Sequence, residues 1–218
     1  MQVGGITGGI YKVCDWLMKL AIVNLLWLLF ALVGLGLFGI FPATVAMLSV
    51  LNRWINQEEC KVVPYFVAVF KRSFVKANIL LVFAVMVGAV LIANFYIVQA
   101  MDGLLHVFLK YGMIVLFVFY SMIVLYVLPI FSHHSQGVWN TFKMSFITSA
   151  LHPLRTGVLV GGFGLLYLII RSFPGMIPFY GVSLIGMWTA VILSPIFERE
   201  QKKKHEGLPI ESEKMVKA

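Results

Sequence analysis

The chain has 218 residues, of which 61% are hydrophobic and 12% charged, with a mean hydropathy of +0.94 and a net charge of +8. Globular domains carry roughly 25% charged residues, so a water-soluble enzyme, a disordered chain and a nucleic-acid-binding module are excluded; the positive balance fits an integral membrane protein whose cytoplasmic loops hold its lysines. Two cysteines, Cys14 and Cys60, give neither a disulfide framework nor a metal-ligand spacing.

Stretches without Asp, Glu, Lys or Arg mark the candidate spans, because such a charge at the bilayer centre costs about 2.5–3.5 kcal/mol and a helical crossing needs about 20 residues. The first runs from Leu20 to Asn52. It is too long for a signal peptide and lacks a small-residue cleavage site. Its middle, from Gly34 to Pro42, holds three glycines and a proline, residues that punctuate helices. Lys19 and Arg53 at its two ends can snorkel to one interface. A helical hairpin is expected, Trp16 to Leu37 and back over Ile40 to Ile55. The alternative is one long tilted span followed by an interfacial helix from Ala43. Further spans are expected at Ala77–Gln99, Leu105–Phe131, Leu154–Arg171 and Ile177–Phe197.

The expected fold class is therefore an all-α polytopic membrane protein with six spans, or five if the hairpin is a single span. With six, both termini are cytoplasmic and 15 of the 17 Lys and Arg residues lie inside, leaving Lys110 and Arg171 outside. With five, the split is 13 against 4. Either count puts the C-terminus in the cytoplasm of a plasma-membrane protein. Residues 1–197 form one membrane domain, and 198–218 a basic cytoplasmic tail expected to be disordered beyond Gly207.

Two cytoplasmic stretches repeat. Phe70-Lys-Arg-Ser-Phe74 and Phe142-Lys-Met-Ser-Phe146 share the pattern Phe-Lys-x-Ser-Phe, 72 residues apart. Phe66, Phe70 and Phe74 recur every four residues, as do Trp139, Phe142 and Phe146 on a similar spacing, so each set shares one helix face. Two amphipathic interfacial helices are expected, their aromatics at the headgroup boundary and Lys71, Arg72, Lys76 and Lys143 toward anionic lipid. The plain reading is anchorage to the bilayer. The sharper one is a docking surface for a cytoplasmic partner.

Among intramembrane amides, Asn24 and Asn94 are expected to bond across helices, with Asn78 and Gln99 at interfaces. Gly34, Gly36 and Gly39, and Gly157, Gly161, Gly162 and Gly164, are expected to permit close helix approach, so that leucine at Gly161 disrupts packing more than leucine at Gly103. His133 and His134 follow Pro129 at a helix end, where cations are favoured. No phosphate loop, zinc-protease motif or nucleophile elbow occurs in the sequence, so no catalytic, cofactor or metal residue is assigned and an enzyme is not expected.

Asn24-Leu-Leu-Trp27, the glycine-rich stretch into Phe41-Pro-Ala-Thr44, Phe70-Lys-x-x-Phe74, Tyr126-x-x-Pro129 and the helix leading to His152-Pro153 resemble the YesL-like family of uncharacterised bacterial integral membrane proteins. The resemblance runs from about Tyr11 to Phe197 and is most specific from Trp27 to Thr44. It implies a non-enzymatic accessory role in sugar uptake or sensing, beside permease or ATPase subunits of carbohydrate ABC importers, and carries over no binding residues. A transporter or channel in its own right is the alternative.

Overall fold

The computed structural model describes residues 6–133 and 137–205, the side chains of 6–8 and 198–205 excepted. Within a bilayer the backbone must satisfy its own hydrogen bonds, which leaves apolar runs such as these only the helix or the closed barrel. The described residues take the helix: α1 (Ile6–Val33), α2 (Leu37–Ile55), α3 (Val62–Gln99), α4 (Leu104–His133), α5 (Val138–Leu151), α6 (Pro153–Ser172) and, after a 3-10 turn at Pro174–Met176, α7 (Ile177–His205), joined by short connections. Six of them, all but α5, are long and apolar enough to cross a membrane. The hairpin reading of the first run is therefore the right one, with its turn at residues 34–36. His134 and residues 206–218 lie outside the described residues, and α7 runs through the first part of the stretch assigned to the tail.

α2 is the axis of the bundle and packs on α1, α3, α4 and α7. Its buried side is built from small and medium side chains, Ala43, Val45, Ala46, Met47, Val50 and Leu51. Four neighbours can close around it for that reason. It ends in a Schellman-type cap: Glu58 N–H donates to Arg53 C=O (2.9 Å) and Gln57 N–H to Trp54 C=O (3.1 Å). Gln57 sits at φ 59°, the left-handed region where a non-glycine residue costs of order 1–3 kcal/mol.

Polar side chains pin the helices pairwise. Asn24 is 2% exposed. Its Nδ2 donates to Pro178 C=O (2.7 Å), and its Oδ1 accepts from Val182 N–H (3.0 Å) and Ser183 N–H (2.9 Å). It thus bridges α1 to the first turns of α7. Trp27 Nε1 donates to Thr44 Oγ1 (2.9 Å), closing α1 on α2. Buried Tyr126 of α4 shares a hydrogen bond with Thr156 of α6 (3.0 Å). Asn94 does not join helices: it is exposed and donates to Val90 of its own turn (2.8 Å). The charge-free run that holds it faces outward there, so its amide is satisfied locally.

The glycines divide more finely than their spacing implies. A Cβ on Gly39 would lie 2.9 Å from Ala31 C and Cα, and one on Gly34 would lie 3.1 Å from Gly39 N, so the α1–α2 crossing is backbone on backbone. Gly162 faces the Trp188 indole, whose Nε1 and Cε2 fill the place a Cβ would need. Gly157, Gly161 and Gly164 face open space, and Gly103 has φ 91°. The expected order of Gly161 and Gly103 is thus reversed. One residue along a helix turns a side chain by about 100°, enough to take Gly161 off the interface that Gly162 occupies.

Candidate functional site on α3 and α5

The first repeat is not a separate interfacial helix. Pro64 stands in the first turn of α3, where its missing N–H costs nothing, and the helix then runs 38 residues without a break. Phe66 and Phe70 are 0% and 7% exposed. Their rings meet Phe30 of α1 at centroid distances of 5.4 and 5.0 Å, and Phe74 packs edge-on against Phe70 (5.5 Å). These aromatics therefore face the bundle core and not the headgroups. The reason is visible in the spacing: Phe66, Phe70, Ser73, Ala77, Leu80, Ala84 and Gly88 are all buried at steps of four and three. They form one stripe that continues from the loop into the span. Lys71, Arg72 and Lys76 fall outside that stripe and are exposed.

The second repeat is α5, a 14-residue helix. Phe142 is half-buried against Phe83 of α3 (4.7 Å), and Phe146 rests on Phe119 of α4 (6.4 Å) while 48% exposed. Trp139 is 72% exposed and Lys143 is exposed. α5 ends because Pro153 follows: the residue before a proline is driven out of the helical region, and His152 sits at φ −125°, ψ 57°.

The repeat is a shared burial pattern. Ser73 and Ser145 occupy matching places. Both are buried, and both donate to the carbonyl four residues back, Val69 and Thr141, each at 2.7 Å. The lysine after the first phenylalanine is exposed in both copies. The stretches meet where Val138 and Phe142 pack on the cluster containing Ala77 and Leu80.

Electrostatically the surface is one-sided. Among the described residues the ion pairs are Lys19–Asp15 (2.6 Å) and Arg53–Glu58 (3.3 Å); Lys71, Arg72, Lys76 and Lys143 take none. No Asp or Glu occurs between Lys61 and Met101, or between Gly103 and Phe197. The exposed part of the candidate site is thus Lys71, Arg72 and Lys76 on α3, with Trp139, Lys143 and Phe146 on α5. It offers cations and aromatic edges, which suit binding. Phe66, Phe70 and most of Phe142 belong to the scaffold beneath it.

A family profile described as "Protein of unknown function, DUF624" matches residues 20–95, which covers the second half of α1, all of α2 and most of α3, with Asn24, Trp27 and Thr44. Three proteins of Bacillus subtilis (strain 168) are similar along most of the chain. The uncharacterised protein YteU is 31% identical over 85% of this chain and 84% of its own. YesL is 30% identical over 94% and 98%, and YesV 29% identical over 93% and 98%; both are also uncharacterised. No solved structure matches.

Proposed function

The chain belongs to the YesL-like DUF624 family of unknown function, and from that membership we propose that it is a non-enzymatic accessory or regulatory component linked to carbohydrate ABC import. The observation that carries the accessory role is the filled interior. Tyr126, Phe66, Met47, Leu51, Leu80 and Leu159 are among the largest fully buried side chains. Among the described residues the buried polar side chains are Asn24 and nine serines and threonines, none of them charged. Ser49, Ser73, Thr141 and Ser145 each donate to a carbonyl of their own helix. A transporter or channel needs a water-filled path lined by polar groups; here those groups are taken up by backbone. The link to carbohydrate import rests on kinship alone.

Docking onto a permease or ATPase subunit uses the exposed cations and aromatics, with charge steering the encounter and Trp139 as the anchor. Phe70→Ala is a poor probe, since emptying a buried phenylalanine site costs about 3–5 kcal/mol and unsettles the bundle whatever it binds. The clean variant is Trp139→Ala with Lys71→Glu and Arg72→Glu. In detergent the wild-type protein should co-purify with an importer subunit, and the triple variant should lose at least about nine-tenths of it with an unchanged melting temperature. A wild-type protein that retains no importer subunit defeats the reading.

The lysine asymmetry supports a plasma-membrane orientation with both termini in the cytoplasm. A reporter active only outside the cell should be silent when fused after Ala218 and active when inserted after Asp102. The reverse pattern overturns the orientation.

A further inference from the structure

A second surface, away from the α3–α5 face, has a different chemistry. Where α1, the end of α2 and the α2–α3 connection meet, the capped turn at Gln57 swings residues 58–61 back toward α1. A cavity of about 610 Å³ opens between Trp16, Lys19, Trp54, Glu58, Glu59 and Lys61, within the size range of small-ligand sites. Its two indoles stand edge to face at 6.1 Å and 86°. Lys19 Nζ lies 5.9 and 6.0 Å from the two ring centroids and 2.6 Å from Asp15. Glu58 is held by Arg53, whose guanidinium stacks on Tyr65 at 4.2 Å.

Two charges of the lining are answered inside the protein and two are not. Lys19 is matched by Asp15 and Glu58 by Arg53. Glu59 and Lys61, both exposed, take no ion pair among the described residues. The open valences of the pocket are thus one carboxylate and one ammonium, two residues apart. Its depth follows from the sequence: Lys19 and Arg53 flank the charge-free run 20–52, so the pocket stands where hydrocarbon gives way to headgroups, the level at which tryptophan is enriched in membrane proteins.

We propose that this pocket binds a zwitterion carrying a primary ammonium and a phosphate, the headgroup chemistry of an ethanolamine phospholipid. Glu59 accepts hydrogen bonds from the ammonium, Lys61 pairs with the phosphate, and the Trp16 and Trp54 edges flank the linker between them. A primary ammonium is specified because it donates charge-assisted hydrogen bonds to a carboxylate. A quaternary one would depend on the indole faces, which Lys19 already covers. An anionic headgroup without a cation would leave Glu59 facing phosphate.

The test uses the full chain purified in detergent and titrated with dihexanoyl phospholipids, binding being read by native mass spectrometry. The ethanolamine lipid should bind at least about tenfold tighter than the glycerol or choline lipid, a margin of about 1.4 kcal/mol. Glu59→Gln should remove that preference, Lys61→Gln should weaken the binding of all three lipids alike, neither should lower the melting temperature, and the exchange Glu59→Lys with Lys61→Glu should restore most of the preference. Free O-phosphoethanolamine that displaces the lipid assigns the site to the headgroup group alone. Lipid retained against an excess of it assigns the site to the intact phospholipid. Equal binding of all three lipids by the wild-type protein, a Glu59→Gln protein that keeps the preference, or a Lys61→Gln protein that binds as tightly as wild type overturns the proposal.

Discussion

Asn24→Ala is expected to lower the melting temperature of the purified protein by roughly 5–10 °C, the equivalent of about 2–3 kcal/mol in a chain of this size. The change removes one buried side chain and with it three hydrogen bonds to the backbone of α7, to Pro178 C=O and from the N–H groups of Val182 and Ser183. Single interhelical hydrogen bonds in membranes average about 0.6 kcal/mol, because the separated helices find other partners. Asn24 exceeds that figure by making three bonds at once to the first turns of α7. Asn94→Ala is the control: its amide serves only Val90 in its own exposed turn, so its loss should move the melting temperature by no more than a degree or so, within the usual scatter of surface changes. Equal effects of the two substitutions would refute the staple.

Gly39→Ala should do comparable or greater harm with a single methyl group. The added Cβ meets the Ala31 backbone, and a backbone atom inside a helix cannot swing aside as a side-chain tip can. The hairpin must splay, weakening the Trp27–Thr44 bond. Overpacking of this kind costs about 1–3 kcal/mol and sometimes more. The top of that range is expected here, because α2 carries contacts to four other helices. Gly161→Ala, facing open space, should be silent or slightly stabilising, since alanine favours the helix by up to about 1 kcal/mol over glycine. Thermal melts of the two variants side by side decide the matter, and a Gly39→Ala protein as stable as Gly161→Ala would show that the crossing is looser than described.

The spans were legible because charge is costly in hydrocarbon: each of the six long apolar helices draws its core from an uncharged run, and the glycines and Pro42 marked the hairpin. Asn24 was legible as an interhelical amide because a polar residue in such a run needs a partner. Asn94 was not distinguishable from it, since burial depends on which side of α3 meets a neighbour. The first repeat was misjudged because Lys71, Arg72 and Lys76 resemble a boundary. The signal that corrects it was present, in the unbroken stripe from Phe66 through Ser73 and Ala77 to Gly88. Of the corner pocket only half was legible: the hairpin expectation brings Trp16 and Lys19 to the level of Arg53 and Trp54, but Glu59 and Lys61 reach it through the turn at Gln57, which carries no glycine to mark it.

The two copies of the repeat differ in mechanics. α3 is a rod of 38 residues, about 57 Å long, and a tilt of about 5° carries its far end through about 5 Å. Lys71 and Arg72 therefore stand on the same unbroken helix as Gln99, where α3 hands over to α4. α5 and α6 are instead two short helices jointed at His152 and Pro153, so that Lys143 stands on a separate helix from the span that follows it. The same Phe-Lys-x-Ser-Phe pattern is thus continuous with its span in one copy and jointed to it in the other.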